Sequence, residues 1–171
     1  MALAVLIEIR LYQENISSHY LVCGRVGFPN CILPWYFISV YVPVKEASDV
    51  RKLALEDIRR LLAILSEKTK RGPIIAMGDW NMSHNQLSSN LKKWNLPFSV
   101  VKCSGSSLSR YEAGNVGKMS ALDFVVSSND GLEHLSKTRV DRSWDLSDHW
   151  PVIANIHKCQ NPATSNENTR K

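Results

Sequence analysis

The stretch "RGPIIAMGDWN" (71–81) constrains the chain more than any other. After Gly72-Pro73, Ile74 to Met77 run apolar without alternation and stop at Gly78-Asp79. A strand with that pattern is covered on both faces, so the fold needs layers on either side of a central sheet. A long amphipathic segment stands just before it. From about Ala47 to Lys68, Val50, Leu53, Ala54, Ile58, Leu61, Leu62 and Leu65 recur at three- and four-residue steps. That spacing predicts a helix with one apolar stripe and Ser48 as its N-cap. Arg51, Lys52, Arg59 and Arg60 fall mostly off the stripe and are expected on its solvated side.

The remaining signals are mostly strands. "ALAVLIEI" (2–9), "HYLVCGRV" (19–26) and "YFISVYVP" (36–43) precede the helix, the last closed by Pro43. After the apolar strand come a short helix within 84–95, a strand "FSVV" (98–101), a polar Ser/Gly-rich loop (104–120), and two further strands, "ALDFVVSS" (121–128) and "WPVIANIH" (150–157). This is a mixed α/β layered pattern rather than a regular doubly wound one, because only one long helix is clear. The 171 residues suit one domain. Residues 1–158 are expected to fold and 159–171 to form a disordered polar tail.

Composition excludes little. Lys plus Arg is 21 and Asp plus Glu is 16, a net charge of +5 that fits an anionic partner without requiring one. Cys23, Cys31, Cys103 and Cys159 form no CxxC pair, which argues against a zinc site, and reduced intracellular thiols are expected. "MALAVLI" has no basic leader, and Glu8 and Arg10 interrupt it, so it reads as a strand rather than a signal. No apolar run reaches a membrane span. The sequons at Asn15 and Asn81 are expected to be chance matches.

Polar groups collect at strand ends. Asp79 ends the apolar strand, Asp123 begins another, and Asp148 and His149 precede the last. Cores fix such positions while the side-chain heads stay open. Asn81, two residues past Asp79, points the same way if the segment is extended. Each signal alone is weak, since "GD" and "SDH" are common turn sequences. Together, three Asp, one Asn and one His form a kit for phosphodiester hydrolysis. A water must be deprotonated and aimed, and charge on the phosphate must be neutralised. A carboxylate orients a neighbouring imidazole, and hard carboxylate oxygens suit Mg2+ or Mn2+.

"GDWN", "ALDFVVSS" and "LSDHWPV" resemble the three C-terminal motifs of the endonuclease/exonuclease/phosphatase superfamily, the DNase I-like proteins. "SVYVPV" resembles the strand of that family ending in Tyr-x-Pro, and "SRYEAGNVGKMSALDFV" its loop before the last catalytic strand. The resemblance covers roughly residues 2–157 and is closest to retroelement endonucleases. It implies an α/β four-layer sandwich, two mixed β-sheets flanked by helices, here missing the N-terminal strands. It implies a metal-dependent hydrolase: His149 acting on the water or the phosphate, Asp123 orienting it, Asp79 positioning the water or assisting the leaving group, and Asn81 hydrogen-bonding the phosphate. Asp148 would hold Mg2+ or Mn2+. Tyr41 would contact the phosphate or stand at the core edge, and Arg110 and Tyr111 would touch substrate or merely be solvated. Trp80 and Trp150 are expected to pack beside the site. DNA is the implied substrate, with no membrane partner, and the implied location is intracellular, nuclear for a retroelement endonuclease.

The family's first segment supplies an Asn and a Glu that help hold the metal, and "ALAVLIEI" resembles the strand after them. Glu14 in "LYQEN" lies too near Tyr41 to be that Glu. The expectation is therefore exposed apolar surface on one sheet and weak or absent activity. Two other readings remain open: a phosphatase for small phosphorylated substrates, and a non-catalytic remnant or binding module.

Overall fold

A buried six-stranded sheet organises the molecule. The structure is a computed structural model that describes residues 9–11, 18–28, 31–45, 47–68, 71–105, 108–111, 119–143 and 147–157. The chain runs β1 (Ile9–Leu11), β2 (Leu21–Val26), β3 (Trp35–Tyr41), α1 (Ser48–Glu67), β4 (Ile74–Asp79), α2 (His84–Lys93), β5 (Phe98–Val100), β6 (Arg110–Tyr111), β7 (Met119–Ser120), β8 (Asp123–Ser128), α3 (Asn129–Leu132), β9 (Leu135–Val140) and β10 (Val152–Ile156). Most of 2–9, Glu14 and the tail 159–171 lie outside the described residues.

The sheet order is β1-β2-β3-β4-β8-β5. Among the described strands only β3 and β4 pair in parallel, with α1 as the crossover that parallel pairing requires. One face carries Tyr36, Ile38, Val40, Ile74, Ala76, Phe124 and Val126, packed under Ile58, Leu61, Leu62 and Leu65 of α1 and Leu87 and Leu91 of α2. The other carries Trp35, Ile75 and Val125, covered by Leu135 of β9 and by Val152 and Ala154 of β10. Burial on both sides explains why β4 shows no polar alternation.

The layered α/β sandwich that the resemblance implies is present, with a small second sheet. Among the described residues it is one antiparallel pair, β9–β10, and not a mixed sheet. α3 packs against β8 and β4 of the large sheet, and α2 against β5. The β6–β7 ribbon is separate.

Local expectations are adjusted at four points. Ala47, not Ser48, takes the N-cap position, with no side-chain cap bond. The apolar stripe of α1 is narrower than read, because Val50 and Leu53 are exposed, Leu53 by 65%. Arg51 leaves the solvated side and binds backbone carbonyls. Cys31 is disulfide-bonded, against the reduced-thiol expectation, while Cys103 is a free thiol. No described helix is long and apolar enough to cross a membrane.

Candidate active site

Sheet register sets the site. Tyr41 lies opposite Asp79 across the parallel β3–β4 pair, and Asp79 lies opposite Asp123 across the antiparallel β4–β8 pair. Directly opposed residues share a face, so the three form a row at one end of the sheet, on the side that β9 and β10 cover. Gly78 makes this end possible. Its φ is +146°, and a Cβ there would stand 1.9 Å from the Val40 carbonyl oxygen. Only a residue without a side chain fits.

His149 is brought to the row by the β9–β10 connection. Its residue bridges Arg110 in antiparallel fashion, and the next N–H, of Trp150, donates to the Ser109 carbonyl at 2.7 Å. The imidazole Nδ1 is 2.8 Å from Asp123 Oδ2. The carboxylate can only accept there, so Nδ1 carries the proton and Nε2 is left for other chemistry.

Sequence reading overlooked Ser109, which is completely buried. Its hydroxyl accepts from the N–H groups of Leu122 (3.3 Å) and Asp123 (3.1 Å). It donates to Asp123 Oδ2 at 2.7 Å. The carboxylate is thus pinned by two donors, the imidazole and the hydroxyl, and so is its orientation toward His149. A serine inside a Ser-rich loop carries no periodic or motif signal, which is why it was missed.

Asn81 reaches Asp79 by a turn, not by strand alternation. The chain leaves the ladder after Asp79, and Asn81 has a left-handed φ of 44°. Its backbone N–H donates to Asp79 Oδ1 at 2.9 Å, and its amide Nδ2 donates to Asp79 Oδ2 at 2.8 Å and to the Val42 carbonyl at 2.9 Å. Both partners of Nδ2 are acceptors, so the amide cannot be turned over, and both of its hydrogens are taken. A phosphate seeking a donor here must displace one of these bonds.

Burial raises the Asp79 carboxyl above its ordinary pKa. The Asn81 N–H opposes this, the nearby Asp123 charge adds to it, and His149 and Arg110 pull it back. The register that sets Asp79 opposite Asp123, and the Asp123–His149 contact, bring the Asp79–Asn81 and Asp123–His149 pairs side by side.

Asp148 is turned to a different partner. Its Oδ2 is 3.2 Å from Arg110 Nε, and both side chains are substantially exposed. Among the described residues no group of three or more His, Cys, Asp and Glu side chains is gathered to hold a metal ion. Asp148 with Arg110 therefore does not make a magnesium cage by itself, since that ion demands near-octahedral oxygen ligation. Tyr41 is half exposed at the rim. The Tyr111 side chain lies outside what is described. Trp80 is fully buried and donates its indole N–H to the Phe124 carbonyl at 3.1 Å. Trp150 is partly exposed, with the Arg142 guanidinium 5.0 Å from its ring centre.

A family profile described as "Endonuclease-reverse transcriptase" matches residues 35–153. Among solved structures, the fold is similar to the endonuclease domain of TRAS1, a telomere-specific non-LTR retrotransposon (TM-score 0.69, 18% identity, 90% of this chain and 70% of that one). It is also similar to the 3' phosphatase NExo from Neisseria bound to a product DNA hairpin (TM-score 0.66, 15% identity, 90% and 72%). A third is the Xenopus laevis APE2 catalytic domain (TM-score 0.57, 18% identity, 80% and 54%). At these identities the likeness is one of fold, the DNase I-like sandwich. No curated protein matches.

Proposed function

Because this chain belongs to the endonuclease–reverse transcriptase family, we propose that it hydrolyses phosphodiester bonds in DNA as a retroelement-type endonuclease. The observation that carries the reading is the His149–Asp123 pair at 2.8 Å, set opposite Asp79 by strand register. It supplies the parts that a water-activated attack on phosphorus needs.

In this reading Asp123, held by Ser109, fixes the imidazole so that Nε2 faces the substrate. His149 then takes a proton from the attacking water or, protonated, stabilises the charge that builds on the phosphate. Asp79 aims the water or hands a proton to the leaving oxygen, and its raised proton affinity suits either task. Asn81 holds Asp79 in place. Tyr41 and Arg110 stand at the rim, where a phosphate or a flanking nucleotide would lie. Asp148 is the described carboxylate offered to a divalent ion, Mg2+ or Mn2+, whose chemistry would be charge neutralisation on the phosphate. The relatives' retroelement and DNA-hairpin contexts favour DNA.

Plasmid nicking tests this. Supercoiled DNA with Mg2+ or Mn2+ should be nicked slowly, because Asp148 alone holds the ion loosely, EDTA should stop it, and His149→Ala and Asp123→Asn should each lower the rate by roughly 10²- to 10⁴-fold, the usual span for a positioned acid–base group. A parallel arm with inositol phosphates separates the phosphatase reading, in which phosphate is released and DNA is spared. No turnover in either arm would leave a binding module and overturn the proposal.

A further inference from the structure

We propose that Arg51, on the first turns of α1, is a positioning residue that fixes the Asp79–Asn81 turn through the backbone. This rests on the phosphodiesterase reading for its catalytic part only.

The Val42 N–H still donates to the Asp79 carbonyl at 2.8 Å, which extends the parallel pairing by one bond. Pro43 has no N–H and cannot continue it. Asn81 has turned out of the strand with a left-handed φ. The carbonyls of Pro43 and Asn81 therefore sit side by side with no ladder donor to serve them. Arg51 serves both: Nη1 donates to Pro43 O, and Nη2 to Asn81 O at 3.0 Å. A planar guanidinium can span two acceptors at once, and a lysine ammonium is a point donor that does so poorly.

The result is that Asn81 is held at three places. Its N–H binds Asp79, its amide binds Asp79 and the Val42 carbonyl, and its own carbonyl binds Arg51. Releasing the last of these leaves Asn81, which tolerates the left-handed region without requiring it, free to take other conformations. The amide then swings away from Asp79, and the carboxylate loses two of its donors. The site thus depends on α1, an element whose other job is to cover the core.

Hydrogen exchange by NMR on the 15N-labelled full chain, read beside plasmid nicking, tests this. In Arg51→Ala the Asn81 N–H should exchange at least tenfold faster, with interior α1 amides such as Leu61 and Leu62 within twofold of the parent. Nicking should lose at least tenfold in kcat with KM within twofold. Arg51→Lys should fall between, and it also serves if Arg51→Ala does not fold. Arg59→Ala, on the exposed side beside Glu56, should match the parent. Unchanged Asn81 exchange, loosening spread evenly along α1, or unchanged kcat beside a loosened Asn81 each overturns the proposal. Selective loosening in a chain whose parent cleaves nothing upholds the clamp and defeats the phosphodiesterase reading instead.

Discussion

Asp79 is the residue on which pH should act. Its carboxyl is raised above the ordinary value of 3.8, first by burial, then by the neighbouring Asp123 charge. A folded pKa above the unfolded one means that the ionised form costs stability at neutral pH. That cost fades as pH falls through the raised value toward 3.8. Any step that needs ionised Asp79 fails over the same window. Titration of the Asp79 side-chain carbon by NMR should therefore give a midpoint above 3.8, and His149→Ala should move it higher by removing a group that lowers it. A midpoint at or under 3.8 would contradict the burial argument. Gly78 offers a second residue-scale check. Gly78→Ala forces a Cβ against the Val40 carbonyl and an L residue to φ +146°. It should cost at least the ~1–3 kcal/mol of a disallowed backbone conformation, measured by urea unfolding, and a near-neutral result would show that β3 and β4 can separate there. At this scale Asp79, Asn81, Asp123 and His149 were legible as a motif set. Ser109 and Arg51 were not, because each acts through geometry that the linear order hides.

At the scale of elements, periodicity found α1 and β4 with bounds within a residue or two. It overreached on the stripe. Val50 and Leu53 keep the helical spacing, but both are exposed, and the buried stripe is carried by Ala54, Ile58, Leu61, Leu62 and Leu65. Ile58→Ala should cost about 2–5 kcal/mol as a core truncation, whereas Leu53→Ala should stay within about 0.5 kcal/mol. Thermal unfolding of the two variants decides between the observed stripe and the wider one. β9 went unseen for the opposite reason. "LSKTRV" carries two charges and two hydroxyls, and its main partner is β10, so its pattern is that of a half-covered strand at the margin of the fold.

For the whole molecule, the net charge of +5 gains meaning only beside the proposed phosphodiesterase site. DNA affinity should fall linearly on a log–log plot against salt, with a slope set by the number of phosphates neutralised. Fluorescence anisotropy between about 50 and 200 mM salt tests this, and a flat response would remove DNA from the reading. The sequence by itself determined the layered α/β class, the long helix, the doubly covered strand and the identity of the strand-end polar residues, because burial leaves its mark on local hydrophobic spacing. Tertiary structure alone decided that Asp79 faces Asp123, that Ser109 pins Asp123, that both Asn81 amide hydrogens are already spent, that Arg110 holds Asp148 and that Arg51 holds the turn. Those facts depend on which strands become neighbours and in what register, and neither is encoded in the spacing of residues along a single segment.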